Sequence, residues 1–198
     1  MNLNGDALEE RLLVDCAKAG DERALTELYQ TYFPRVYRYI LARTDNPHDA
    51  EDLAAEVFMR VLEALERFQW RGPPFSAWLF RIAHNAVISQ RRKDNARGRS
   101  GPLPEEIPVD GAGTDELVEQ QLILNEVMAA ARKLPEAQCR VITLRFTAGL
   151  SVAETALAMG KGVGNVKSLQ HMAIAKLRDM LGQSTWKRTP RSQRSIPI

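Results

Sequence analysis

Aromatic and basic side chains are concentrated between Arg67 and Asn85, and this combination can bind unpaired nucleic-acid bases. Five aromatic residues flank a Gly-Pro-Pro turn at residues 72–74: Phe68, Trp70, Phe75, Trp78 and Phe80. An aromatic ring beside a cation can stack on any base, because every base has a π face. We expect Phe68, Trp78 and Ile82 to lie in the core, whereas Trp70, Arg71 and the turn are harder to bury. The segment therefore predicts contact with single-stranded or flipped bases, which a protein that binds only duplex DNA does not need.

The sequence contains no comparable pattern for catalysis or for metal binding. Its three histidines, His48, His84 and His171, lie far apart without a second ligand at metal-binding spacing. It also lacks a Gly-rich phosphate loop and a nucleophile motif. Cys16 and Cys139 are widely separated, which is typical of reduced core cysteines rather than of a disulfide. We expect neither an enzyme nor a cofactor.

The segment Leu134–Leu181 has the helix start and stop signals of a helix-turn-helix. Pro135 suits the first turn of a helix, Gly149 breaks the pattern, and Ser151 and Glu154 form a capping box for the next helix. That helix is predicted to stop at the glycines 160 and 162. Four of its residues are predicted to face inward: Val152, Ala153, Ala156 and Leu157. The last helix is predicted to bury Val166, Ala173, Leu177 and Leu181 and to expose Asn165, Lys167, Ser168 and His171. Such a pair can read a DNA major groove, and the alternative is a plain helical hairpin.

A third feature is the amphipathic segment 47–68. Its core stripe is predicted to be Leu53, Val57, Val61 and Leu65. A second face carries charged residues every three or four positions: Asp52, Glu56, Arg60 and Glu63. Such a face is usually only solvated, but it could equally dock on the helices of another protein.

Nearly every periodic segment has the helical repeat, so the sequence predicts an all-α protein. Asn46 and Pro47 mark one helix start clearly. The predicted helices span 6–19, 21–43, 47–68, 75–96, 116–133, 136–147, 151–159 and 163–181. Residues 98–114 contain four Gly and three Pro and cannot form a packed core. We therefore predict two small domains, 1–97 and 116–182, a flexible acidic linker at 98–115, and a disordered basic tail at 183–198.

Charge is segregated along the chain although the formal net charge is only +2. Residues 89–99 hold five basic groups, residues 103–119 hold six acids, and the tail is basic. Local basic patches of this kind attract phosphate. No apolar run reaches the ~20 residues of a bilayer span, and the polar N-terminus is unlike a signal peptide. These features predict a cytoplasmic protein without membrane insertion of its own.

Three segments, in this order, resemble the extracytoplasmic-function (ECF) sigma factors, the minimal initiation subunits of bacterial RNA polymerase. Asp49–Phe58 is similar to the part of region two that docks on the clamp helices of the largest polymerase subunit. Phe75–Asn85 resembles the helix that melts the promoter and reads the minus-ten element, and Gln69–Pro74 lies where the family captures a flipped base. Leu134–Leu181 is similar to region four, which binds the minus-thirty-five element.

The resemblance implies an alternative sigma factor that binds core RNA polymerase, recognises promoter DNA, helps to melt it and has an anti-sigma factor as a further partner. The implied polymerase-binding residues are Asp49, Asp52, Glu56, Phe58 and Arg60. The implied minus-ten residues are Trp70, Arg71, Phe75, Trp78, Arg81, His84, Asn85, Arg91 and Arg92. The implied minus-thirty-five residues are Lys161, Gly164, Asn165, Lys167, Ser168, His171 and Lys176.

The recognition helix departs from the family pattern, since three positions that are often arginine are Leu169, Met172 and Ile174. This departure predicts modest minus-thirty-five affinity. Two other classes are a stand-alone helix-turn-helix regulator that acts without polymerase and a helical adaptor without a nucleic-acid role. The aromatic loop argues against the first class, and the basic run at residues 91–99 argues against the second.

Overall fold

The computed structural model describes the backbone of residues 3–44, 46–70, 73–98 and 115–188. Every regular element within these ranges is a helix, which confirms the all-α prediction. In chain order they are α1 (Leu3–Lys18), α2 (Glu22–Leu41), α3 (Pro47–Leu65), α4 (Phe75–Ala96), α5 (Asp115–Arg132), α6 (Glu136–Ile142), α7 (Val152–Met159) and α8 (Val163–Arg188). None of the described helices is long and apolar enough to cross a membrane.

Local side-chain chemistry explains where two of the helices begin. The Asn46 side chain accepts a hydrogen bond from the amide of His48 at 2.9 Å, so it caps α3 as predicted. Ser151 Oγ accepts from the amide of Glu154 at 3.1 Å, while Glu154 Oε2 accepts from the amide of Ser151 at 2.7 Å. This capping box opens α7, and Gly160 closes it in the left-handed conformation, with φ 63° and ψ 36°.

The N-terminal cluster, α1–α4, packs around an apolar core. The stripe predicted for α3 is buried, with Leu53, Val57, Val61 and Leu65 all at most 5% exposed. It packs between α2 and α4, whose largest fully buried side chains include Tyr39, Ile40, Phe75 and Phe80.

The C-terminal cluster, α5–α8, contributes to that same core as well as building its own. Its own core joins α5, α6 and α8 through buried residues that include Ala131, Ile142, Ala173 and Leu177. Four of its other residues are buried with the N-terminal cluster: Leu144, Ala148, Leu150 and Ala158. The two clusters therefore pack directly on each other.

The predicted 136–147 helix is not uniform. After Ile142, residues Thr143–Thr147 form a wider π-helical turn, in which the amide of Ala148 donates to the carbonyl of Thr143 at 3.0 Å. This segment contacts α2, and Leu144 is fully buried there. Periodicity alone could not predict the wider turn, because it follows from packing against a distant helix.

Several detailed expectations were wrong. Cys16 is exposed rather than buried, because it lies on the solvent side of α1, whereas Cys139 is buried as predicted; both are free thiols. Ala153 and Leu157 point outward, and Thr155 and Ala158 are buried instead. The reason is that α7 packs against α4 as well as against α8.

The predicted linker, apart from its first and last residues, and most of the predicted tail lie outside the described residues. The last helix continues past its predicted end at residue 181 but is interrupted at Gly182, where φ is 66° and ψ is 175°. Residues 99–114 and 189–198 are not described.

Candidate nucleic-acid interface

A cavity of about 370 Å³ lies where α3 ends and α4 begins. Its volume falls in the range of small-molecule sites. The lining residues combine aromatic and cationic groups: Arg67, Phe68, Gln69, Pro73, Trp78 and Arg81. A planar ring that entered this cavity would lie among the side chains of a tryptophan and two arginines, which is the chemistry that binds an unstacked base.

The floor of this cavity is a cluster of aromatic rings. The Trp78 ring lies 4.9 Å from Phe68 and 5.3 Å from Phe75 between ring centroids, and Trp78 itself is half-buried. Phe75 was predicted to contact DNA, but it is fully buried and packs on Tyr32 and Phe68. Because a buried ring has no face to offer a base, Phe75 supports the site rather than lining it.

Trp70 lies on the α1 side of the loop and does not line the cavity. Its indole N–H donates to Asp15 Oδ1 at 2.9 Å, and the Arg11 guanidinium lies 5.7 Å from its ring centre. The ring also packs edge-on against Phe68 at 5.0 Å. Arg71, the neighbouring predicted DNA residue, lies outside the described residues.

The predicted DNA-reading face of α4 is partly covered by the C-terminal cluster. Arg81 Nη2 donates to the carbonyl of Leu157 at 3.0 Å, and Arg91 Nη1 donates to Glu136 Oε2 at 2.9 Å. Ser76 Oγ donates to Glu154 Oε1 at 2.6 Å. Asn85 and Arg92 remain exposed on the same helix.

His84 lies at the centre of the contact between the two clusters. The Tyr39 hydroxyl is 3.3 Å from its Nδ1. Burial, assisted by the charges of Arg140 and Arg43, lowers the pKa of His84 to about 4. In this arrangement His84 is therefore a neutral ring at physiological pH and not a cation for phosphate.

Glu136 joins two arginines of the N-terminal cluster. Its carboxylate contacts Arg43, whose side chain is 0% exposed, and Arg91 on α4. Burial alone would raise the pKa of Glu136, but the two guanidinium groups hold it below its ordinary value. Further contacts come from α2, where Arg35 Nε donates to the carbonyl of Ala148 at 2.9 Å.

The charged face of α3 is exposed as predicted, but its composition differs from the prediction. Asp49 and Asp52 are exposed, and Glu56 pairs with Arg60 at 2.5 Å. Phe58, predicted as a docking residue, is 4% exposed and packs on Phe33 and Tyr29. Position 58 lies four residues after the buried Ala54 and three before the buried Val61, so helix geometry turns this ring toward α2.

Two apolar residues on this face were missed. Met59 is 59% exposed and Leu62 is 44% exposed, and both lie among the charged positions. The available signal was their spacing, because neither falls in register with the core stripe of Leu53 and Val57.

All seven residues predicted for the minus-thirty-five element are exposed around the start and middle of α8: Lys161, Gly164, Asn165, Lys167, Ser168, His171 and Lys176. Ser168 Oγ donates to the carbonyl of Gly164 at 3.1 Å. Of the three residues that depart from the family pattern, only Met172 is largely exposed, at 46%. Leu169 and Ile174 pack partly against the cores around them.

No cluster of three or more potential metal ligands occurs among the described side chains. The residues around the cavity and on the helix-turn-helix provide cations, aromatic rings and exposed helix faces.

The sequence matches two families in the same order as these sites. Residues 28–97, which include α3, the cavity and α4, match Sigma-70 region 2. Residues 130–179, which include the helix-turn-helix, match Sigma-70, region 4.

Characterised relatives extend the similarity to most of the chain. The ECF RNA polymerase sigma factor BldN of Streptomyces coelicolor is 37% identical over 180 residues, covering 90% of this chain and 68% of BldN. The ECF RNA polymerase sigma factor SigD of Mycobacterium tuberculosis is 35% identical over 188 residues, covering 90% of this chain and 86% of SigD.

Solved structures share the fold. The structure of CnrH in complex with the cytosolic domain of CnrY aligns with a TM-score of 0.67 and 25% identity, covering 87% of this chain and 96% of CnrH. RpoE of Bartonella quintana, solved with the anti-sigma factor NepR, aligns with a TM-score of 0.62 and 23% identity, covering 79% of this chain and 95% of RpoE. With both regions in order and relatives above 30% identity, the chain belongs to the ECF sigma factors of RNA polymerase.

Proposed function

We propose that this sigma factor divides its work among three surfaces. The exposed face of α3 docks on core RNA polymerase, the cavity before α4 holds a flipped base of the minus-ten element, and α8 contacts the minus-thirty-five element. Residues 1–97 and 116–182 act as the two domains, joined by residues 98–115. Because its partner is polymerase, the protein acts in the cytoplasm.

The cavity is the observation that carries this proposal. Arg67 reaches the cavity from the turn that follows α3, and Trp78 and Arg81 reach it from α4. Stacking on an aromatic ring contributes ~1–3 kcal/mol per base. Because stacking alone does not choose among bases, the polar groups at the rim would supply discrimination.

The double variant Arg67→Ala and Arg81→Ala tests the cavity. It removes both cations but leaves the aromatic floor, so we expect promoter melting to fall about tenfold or more while core binding is unchanged. Permanganate footprinting of promoter thymines with the reconstituted holoenzyme measures melting.

The matched control is Arg23→Ala, an exposed arginine on α2 away from the cavity. This control should melt the promoter as wild type does. If the double variant also melts the promoter at the wild-type rate, the cavity does not hold the base.

An anti-sigma factor is the remaining proposed partner. CnrH, whose fold this chain shares, was solved with the cytosolic domain of a second protein. Exposed apolar residues near the recognition helix, Val163 and Met172, are chemically suited to such a partner. A partner that shields Met172 should protect it from oxidation, which mass spectrometry of the complex would detect.

A further inference from the structure

Helix α1 holds the loop that forms one wall of the cavity. Lys18 Nζ donates to the carbonyl of Phe68 at 2.6 Å, and Asp15 Oδ1 accepts from the Trp70 indole N–H at 2.9 Å. Arg11 lies over the Trp70 ring at 5.7 Å and 3.9 Å from the Asp15 carboxylate. Since residues 11, 15 and 18 are spaced by four and three, they share one face of α1.

These contacts lie next to the side chains that line the cavity. Residues 68–70 have no regular secondary structure, so the position of their backbone depends on tertiary contacts such as these. Phe68 lines the cavity and is packed into the core, and its chain neighbours Arg67 and Gln69 line the cavity as well, whereas Trp70 faces α1. Holding Phe68 and Trp70 in place therefore fixes where Arg67 and Gln69 meet a bound base.

None of the three α1 residues lines the cavity itself. Phe68 is held by its backbone carbonyl and by burial, and Trp70 is held at its ring edge and across its face. Phe68 and Trp70 are thus held by several contacts each, and preorganisation of this kind raises affinity without a direct contact to the ligand.

We propose that Asp15, Lys18 and Arg11 are positioning residues, which set the geometry of the base cavity by holding Phe68 and Trp70. This inference rests on the proposed function of the cavity. Asp15 is its most testable member, because its side chain is exposed at the surface and its one clear partner in the loop is the Trp70 indole.

The test compares Asp15→Ala with Asp15→Asn in the full-length holoenzyme. The probe is a promoter library randomised through the minus-ten element, and the readout is the base preference at each non-template position among melted promoters. Asp15→Ala frees the indole, so the preference at one position should fall about tenfold. Asp15→Asn keeps an oxygen that accepts from the indole, so it should restore that preference.

A purely structural role would change thermal stability or core binding without changing base preference, so both are measured alongside. Lys18→Met, which removes the bond to the Phe68 carbonyl, should reduce preference at the same position. If Asp15→Ala and Lys18→Met keep the wild-type preference at every position, the positioning role is wrong. If wild type itself shows no preference in this element, the proposed function of the cavity fails instead.

Discussion

Glu136 shows how a single carboxylate can organise a contact between two helical clusters. It opens α6, where an acidic group is favoured by the positive end of the helix dipole, and from there it reaches Arg43 and Arg91. Arg43 is otherwise buried and its Nε has no protein hydrogen-bond partner among the described residues. A buried guanidinium of this kind depends on its one charged partner.

His84 makes this contact dependent on pH. Its pKa is lowered from an ordinary 6.5 to about 4, by burial first and then by Arg140 and Arg43. Between these values the unfolded chain binds a proton that the folded protein does not, so stability falls as pH falls through this window. The groups that face His84 are Tyr39, Arg43, Glu136 and Arg140.

We therefore expect the free energy of unfolding to decrease as pH falls from about 6.5 towards 4, and His84→Gln to reduce that decrease. Urea unfolding of both proteins at several pH values would measure the difference. Equal pH dependence in wild type and His84→Gln would contradict the assigned burial of His84.

At the scale of single helices, the exposed face of α3 is the surface that we propose for docking on core polymerase. Its exposed residues combine acids with Met59 and Leu62, and apolar anchors among charged groups are typical of a docking surface. The core stripe on the opposite side is fully separate from them, so the exposed face can be changed without disturbing packing.

The double variant Asp52→Arg and Glu56→Arg should fold normally, because surface substitutions usually change stability by no more than ~0.5 kcal/mol. Its affinity for core polymerase should fall about a hundredfold, since like charges at an interface cost several kcal/mol. Glu27→Arg, an exposed reversal on α2, is the control. Wild-type capture of core polymerase by the double variant would show that α3 docks elsewhere or not at all.

Local chemistry made most helix bounds predictable from sequence. The Asn46 cap, the Ser151–Glu154 capping box and the stop at Gly160 all depend on neighbours within a few residues. The orientation of single aromatic residues was less predictable. Phe58 and Phe75 were assigned to binding surfaces and are buried, because the spacing of one ring does not reveal which helix will cover it.

The packing of the two helical clusters against each other could not be predicted from the sequence patterns. Contacts between Arg43 and Glu136, or between Ser76 and Glu154, join residues 93 and 78 positions apart. No periodicity or capping motif encodes such pairs, since they depend on how completed helices fit together. The family could be recognised without knowledge of these contacts, because it depends on the order of motifs along the sequence.

In this arrangement the C-terminal cluster occupies part of the face that α4 would present to DNA. Arg81 donates to the carbonyl of Leu157, Arg91 donates to Glu136, and His84 is partly buried beside Tyr39. We therefore expect promoter binding at this face to require the two clusters to separate. The energy of separation should then lower the DNA affinity of the free protein, since only the open fraction can bind.

Glu136→Ala should favour separation, because it leaves Arg43 buried without a charged partner. We expect a larger radius of gyration by small-angle X-ray scattering and about tenfold tighter binding of a single-stranded minus-ten oligonucleotide by the free protein. Glu136→Gln is a milder change in the same direction, and Glu126→Ala, exposed on α5, is the control. Unchanged size and affinity in both Glu136 variants would mean that this contact does not limit DNA binding.

Run-off transcription tests the central claim most directly. Core RNA polymerase of Streptomyces coelicolor would be supplied with a library of randomised promoters, with and without this protein, and the transcript starts and their upstream sequences would be read. We predict discrete starts only when the protein is present, with two enriched sequence blocks upstream, and no promoter melting by the protein alone. Starts that do not depend on the protein, together with tight binding of duplex promoter in the absence of polymerase, would contradict a sigma factor and indicate a stand-alone regulator.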